Sequence, residues 1–219
     1  MKKLFLITSV CISAAFFGQS IREVAEFHSL KVYDKISVEI VASSAPKVEI
    51  SEASQGNVET ESKDGELKIK MKTSESLQGE TVKVKVFYTK IDALQASQGS
   101  NISGSLKTEK LSAASNEGSK IELTATVSEL EAKANTGGEI HLKGNATTQN
   151  VTVTSGGKFY GKDFQTENTQ VSTNAGGIAE VYASKSANVT TRAGGRIDVY
   201  GNPADKKDKK IAGGKINYQ

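Results

Sequence analysis

The 219-residue chain carries 28 lysines and arginines against 25 aspartates and glutamates, a formal net charge of +3. This near-balance argues against a dedicated nucleic-acid-binding protein, which usually concentrates basic residues on one face. The single cysteine, Cys11, lies near the N-terminus, so no disulfide framework supports the rest of the chain.

The first 18 residues have the layout of a secretory signal peptide. Lys2 and Lys3 precede an apolar run from Leu4 to Phe17, and Gly18 supplies a small residue for cleavage. The run is shorter than the ~20 apolar residues of a membrane-spanning helix, and no later stretch approaches that length. We expect an exported protein in the periplasm, at the outer membrane or outside the cell; a retained membrane anchor is the alternative.

Residues 19–92 are rich in β-strand patterns but lack a regular repeat. Asp64 and Gly65 predict a tight hairpin turn. We interpret this region as irregular first coils and an N-terminal cap that form one continuous domain with residues 93–219. Alternating apolar and polar residues predict six strands: Ser29–Tyr33, Ser37–Val41, Lys47–Ser51, Asn57–Glu61, Glu66–Lys72 and Thr81–Tyr88.

Residues 93–219 repeat with a period near 19, at intervals of 18 to 20 residues. A fixed period of this length is typical of a stacked solenoid. The repeat is marked by Gly99, Gly118, Gly137, Gly156, Gly176, Gly194 and Gly213.

Two apolar columns accompany the glycines. One lies three residues after the glycine, at Ile102, Ile121, Ile140, Phe159, Ile197 and Ile216. The other lies five residues before it, at Leu94, Ala113, Ala132, Val151, Val171 and Val189. Each coil therefore reads as a strand, a glycine corner with φ > 0, a second strand and a variable return.

This pattern predicts an all-β parallel β-helix with coils of about 19 residues and an irregular β-rich N-terminal cap. Nineteen residues are too few for two amphipathic helices, and valine, threonine, serine and glycine are poor helix formers. Leucine-rich repeats need more leucines than these coils contain. Asn116, Asn135 and Asn174, two residues before a glycine, suit left-handed or side-chain-bonded turns.

Short motifs along residues 24–218 resemble the putative auto-transporter adhesin head domain family, the GIN domain, found in secreted proteins of Bacteroidetes. The resemblance implies a right-handed β-helix and an exported location, and it brings no catalytic residues. The matching segments are Phe27-His-Ser-Leu-Lys-Val32, Ile36-Ser-Val-Glu-Ile40, Asp64-Gly-Glu-Leu-Lys-Ile69, Asp198-Val-Tyr-Gly-Asn-Pro203 and Gly214-Lys-Ile-Asn217.

Candidate chemistry is sparse. Glu180 and Asp198 fall at equivalent coil positions and, with Arg192 and Arg196, are the best residues for a polysaccharide lyase or hydrolase site, although solvated charges on a sheet face are the favoured explanation. His28 and His141 have no ligand-type spacing, so we expect exposed strand residues and assign no metal or cofactor site.

The leading hypothesis is an exported, non-enzymatic binding module, adhesin-like or structural, whose polar sheet faces contact surface glycans or cell-envelope components. A polysaccharide-degrading enzyme on the same scaffold is the alternative. The basic run Lys206-Lys-Asp-Lys-Lys210 is expected to lie in a solvated loop, with a weak anion-binding patch as its alternative.

Overall fold

A computed structural model describes residues 19–51, 54–72 and 82–219, so the predicted signal peptide at 1–18 lies outside the described residues. Within these residues the chain forms β1 (Gln19–Glu23), β2 (Ser29–Val32), β3 (Ser37–Ala42), β4 (Lys47–Ser51), β5 (Val58–Lys63), β6 (Glu66–Met71), β7 (Lys83–Tyr88), β8 (Ala93–Ala96), β9 (Asn101–Lys107), β10 (Lys110–Asn116), β11 (Lys120–Thr126), β12 (Glu129–Asn135), β13 (Glu139–Val153), β14 (Lys158–Tyr160), β15 (Phe164–Thr173), β16 (Ile178–Tyr182), β17 (Ser186–Arg192), β18 (Arg196–Tyr200), β19 (Asp205–Ile211) and β20 (Lys215–Tyr218). Its described part contains no helix that is long and apolar enough to cross a membrane.

The strands of the glycine coils form two stacks of parallel strands. Stack one, made of the strands before the corners, contains β8, β10, β12, the second half of β13, β15, β17 and β19. Stack two, made of the strands after the corners, contains β9, β11, the first half of β13, β14, β16, β18 and β20. Pairing is in register, with Ala113 opposite Ala132 and Ile121 opposite Ile140. The predicted parallel β-helix is confirmed.

The N-terminal strands extend the same two stacks in an unexpected order. β2 lies between β6 and β8, and β3 lies between β7 and β9. The chain therefore forms the β2–β3 coil first and then adds the β6–β7 coil on one side of it. It next returns to the other side, where β8 and β9 begin the glycine coils. The antiparallel strands β1, β4 and β5 complete this end.

Both predicted apolar columns form the core. The column after the corner is no more than 1% exposed from Ile102 to Ile197, and the column before it is no more than 2% exposed. Ile216 is only partly buried because its coil is the last one. Phe159 and Phe164 are the largest of the fully buried side chains. Burial of these side chains stabilises the stack at about 25 cal/mol per Å² of apolar surface.

Each glycine corner is a two-residue turn with both residues left-handed. Thr136 has φ 49° and Gly137 has φ 72°, the pattern of a type I′ turn. Asn135 stands just before this pair and bonds through its side chain: its amide donates to Asn116 Oδ1 at 3.1 Å, and Thr154 Oγ1 donates to Asn135 Oδ1 at 2.6 Å. These asparagines thus act through side-chain bonding.

The basic run Lys206–Lys210 was expected to lie in a loop, but it forms most of strand β19. All seven residues of this strand are exposed. Its inward positions carry Lys206, Asp208 and Lys210 opposite Ala187, Val189 and Thr191 of β17. The Lys206 ammonium lies 4.6 Å from the centre of the Tyr218 ring, and the Tyr218 hydroxyl donates to Asp208 at 2.5 Å. Burial, reinforced by this bond, raises the pKa of Tyr218. Charges in core positions make this edge a poor template for further strands.

Candidate functional site

The outward faces of the two stacks are the candidate binding surfaces. Alternate side chains of a strand point away from the core, and in-register parallel pairing lines them up in columns spaced by roughly 4.8 Å. Each face contains a groove that crosses several coils.

The groove on stack one, here called the amide groove, has a volume of about 770 Å³. Most of its lining side chains are uncharged hydrogen-bonding groups. Ser186 Oγ donates to Asn168 Oδ1 at 2.8 Å, which links two coils. Its main column runs through Ser112, Glu131, Asn150, Gln170 and Asn188, one residue from each successive coil.

The groove on stack two, here called the ring cleft, has a volume of about 470 Å³. The rings of His141 and Tyr160 lie on neighbouring strands with centroids 4.5 Å apart and planes tilted by 35°. The same outward column continues to Glu122 on one side of the rings and to Glu180 on the other. Four further charged or polar residues line the cleft: Thr124, Lys143, Lys162 and Asp163.

The ring pair was missed by reasoning from single residues, although a signal for it exists. His141 lies four residues after Gly137, and Tyr160 lies four residues after Gly156. An alignment of the coils on their glycines therefore places both rings in one outward column. His141 was expected to be exposed, but its side chain is only one-third exposed because it packs against Tyr160.

Ion pairs neutralise the carboxylates next to the cleft. Lys158 Nζ lies 2.8 Å from Glu139, and this bond, with a further one from His141, lowers the pKa of Glu139 against the opposing effect of burial. Lys120 lies 3.0 Å from Glu122 and lowers the pKa of that carboxyl in the same way. Both glutamates are therefore ionised and paired at neutral pH.

The predicted enzyme candidates do not assemble into one cluster. Glu180 and Asp198 are direct neighbours on β16 and β18, one coil apart as expected. Arg196 on β18 contacts Asp198, whereas Arg192 lies at the end of β17 in the other stack. The structure thus separates one of the two arginines from the acidic pair.

Asp198 is held as a structural anion. Only 2% of it is exposed, and it accepts hydrogen bonds of 2.7 Å from Arg196 Nε and from Asn217 Nδ2. Burial alone raises the pKa of Asp198, but these hydrogen bonds outweigh burial and hold the pKa below its ordinary value. A buried carboxylate with filled acceptor positions is poorly placed to take a proton from a substrate.

The histidines are separate from one another. His28 is exposed and its Nδ1 lies 3.1 Å from Asp92, while His141 Nε2 lies 3.4 Å from Glu139. Across residues 19–51, 54–72 and 82–219, no three His, Cys, Asp or Glu side chains are grouped so that they could hold a metal ion.

Solved structures with the same fold include three from Bacteroides and Parabacteroides species. A putative adhesin from Bacteroides fragilis NCTC 9343 has a TM-score of 0.83 and 16% identity, covering 92% of this chain and 96% of that chain. A putative lipid binding protein from Parabacteroides distasonis ATCC 8503 has a TM-score of 0.68 and 16% identity over 92% and 96% of the two chains. A putative adhesin from Parabacteroides merdae ATCC 43184 has a TM-score of 0.65 and 18% identity over 92% and 95%. At these identities the likeness shows the fold alone.

No functionally curated protein matches the chain. The family described as "Putative auto-transporter adhesin, head GIN domain" matches residues 26–203, which is most of the chain and includes four of the five segments that carried the resemblance. The resemblance is confirmed, and the protein belongs to this family.

Proposed function

We propose that the protein is an exported, non-enzymatic module that binds surface glycans or other cell-envelope components. One observation carries this proposal: polar side chains stand in register, coil after coil, on the outward faces of both stacks. Repeated equivalent groups suit a polymeric ligand, because many weak contacts along one chain add up to useful avidity.

Export is supported by the leader-like residues 1–18, with a mature chain that begins near Gln19. The family description and the putative adhesins of the same fold agree with a surface role. We accordingly place the protein in the periplasm, at the outer membrane or outside the cell.

The alternative, a polysaccharide lyase or hydrolase, receives little support from the geometry. Such an enzyme needs an accessible base or a pair of free acids at the scissile bond. Asp198 is buried and bonded to Arg196 and Asn217, which leaves Glu180 as the accessible carboxyl of the predicted pair.

The proposal is tested by the binding of the purified full-length protein to a glycan array, followed by titration against isolated outer-membrane vesicles and peptidoglycan. We expect saturable binding to one ligand class that a soluble form of that ligand competes away. Heat-denatured protein is the control for non-specific adsorption. The absence of binding to the array, to the vesicles and to peptidoglycan would contradict the proposed function.

A further inference from the structure

Aromatic rings distinguish the ring cleft from the amide groove. His141 and Tyr160 line the cleft on stack two, whereas the described residues that line the amide groove include no aromatic side chain. A ring face is apolar, so it can accept the C–H face of a sugar in a way that amides and hydroxyls cannot. The two outward surfaces therefore differ in the ligand chemistry they can recognise.

The ring pair is flanked by carboxylates. His141 and Tyr160 pack against each other, and both rings line the cleft. In the same outward column, the next side chain on either side is a carboxylate: Glu122 beside His141 and Glu180 beside Tyr160. Each ring is thus bordered by a strong acceptor for hydroxyl groups.

Space for a ligand exists at this point. The cleft of about 470 Å³ lies within the range of small-molecule sites, roughly 300–1,000 Å³. Lys143, Lys162 and Asp163 are exposed at its rim and supply further donors and an acceptor.

The charges around the cleft balance. Glu122 pairs with Lys120 and Glu139 pairs with Lys158. The remaining lining charges are two carboxylates, Glu180 and Asp163, and two lysines, Lys143 and Lys162. The lining as a whole therefore has no excess positive charge, so it gives no electrostatic preference for an acidic sugar over a neutral one.

From these observations we infer that the ring cleft is a subsite for a neutral pyranose unit of a surface polysaccharide. The C–H face of the sugar packs on Tyr160, and its hydroxyls donate to the Glu180 carboxylate and accept from Lys143. This inference rests on the proposed function and assigns it to one face, one ligand class and named residues.

The test uses the purified full-length protein and calorimetric titration. Its probes are linear neutral hexasaccharides from cellulose, mannan, laminarin and chitin, with oligogalacturonate as the acidic comparison. We expect binding to at least one neutral probe. Tyr160→Ala lowers the affinity at least about tenfold, Tyr160→Phe keeps it within about twofold, and Glu180→Gln lowers it by roughly fivefold.

Glu109→Ala is the control, because Glu109 is exposed between β9 and β10 and lines neither groove. We expect it to leave the affinity unchanged. Asn188→Ala reports on the amide groove, whose main column contains Asn188. Saturation-transfer NMR gives a second readout, in which the ring protons of the bound sugar receive strong saturation from the wild type and little from Tyr160→Ala. Far-UV circular dichroism of each variant establishes that it is folded.

The outcomes separate the inference from the proposed function. Undiminished affinity of Tyr160→Ala for a bound neutral probe overturns the inference and leaves the proposed function in place; a loss of binding in Asn188→Ala instead assigns the site to the amide groove. Binding of oligogalacturonate alone also overturns the inference only. If no glycan binds, the inference is overturned, and the vesicle and peptidoglycan titrations decide the proposed function.

Discussion

At the Gly-Gly corners the second glycine is required by space, and Gly138 provides the sharpest test of this requirement. A Cβ added at Gly138 would overlap the carbonyl oxygen of Ser115 and lie 2.5 Å from its carbonyl carbon, both of which are backbone atoms of the preceding coil. The preceding corner shows what a side chain needs there: Ser119 Oγ donates to the carbonyl oxygen of Ala96 at 2.7 Å, so its Cβ stands farther from that oxygen. Gly137 differs, because its added Cβ would meet open space and only φ, at 72°, disfavours a side chain.

These two causes predict different costs. Gly138→Ala must displace backbone, including the bond from Glu139 N to Ser119 O at 2.9 Å, and we expect a loss of about 3 kcal/mol, the upper end of the usual range for overpacking. Gly137→Ala should cost about 1 kcal/mol, the steric penalty of a left-handed alanine. For a chain of this size about 1 kcal/mol lowers Tm by roughly 2–4 °C, so Tm should fall by roughly 6–12 °C and roughly 2–4 °C respectively.

Thermal unfolding followed by far-UV circular dichroism measures both variants against the wild type. A fall in Tm for Gly138→Ala that is no larger than the fall for Gly137→Ala would refute the argument from space. It would mean that neighbouring coils separate enough to accommodate the added Cβ without a measurable loss of packing energy.

The remaining predictions concern charge. Asp198→Asn should destabilise the protein by about 2 kcal/mol at neutral pH, because a buried carboxylate loses charge-assisted hydrogen bonds. Since these bonds lower the pKa of Asp198, their contribution to stability is present above the ordinary pKa of about 3.9 and is lost as the pH falls below it. The difference in unfolding free energy between the variant and the wild type, measured by urea unfolding, should therefore shrink at about pH 3. A difference that stays constant with pH contradicts this. Replacing the inward charges of β19 by the residues of β17 opposite them (Lys206→Ala, Asp208→Val and Lys210→Thr) should promote end-to-end association. Light scattering after size-exclusion chromatography should show a larger mass than for the wild type, and equal masses would argue against a protective role for these charges.

The sequence by itself determined the parallel β-helix. A left-handed corner restricts the residues it tolerates, as at Gly137, and a half-buried strand alternates apolar and polar side chains, as in Ile121 and Ile140 with their neighbours. Both are local requirements, so they recur with the period of the coils and can be read without knowledge of distant contacts. The hairpin turn at Asp64 and Gly65 was predicted for the same reason and is present, with φ 52° and 76°.

Only the tertiary structure decided which coil stacks on which. The β2–β3 corner is built from Asp34 and Lys35, both left-handed without a glycine, so this coil escaped the repeat pattern. The inward charges of β19 break the apolar–polar alternation expected of a strand, so the sequence predicted a loop there. The structure shows that β19 is an exposed edge strand, where inward charges are tolerated. The tilt of the His141 and Tyr160 rings against each other and the burial of Asp198 likewise depend on side-chain packing. The glycine spacing predicts which residues share a column, but it does not specify how their side chains pack.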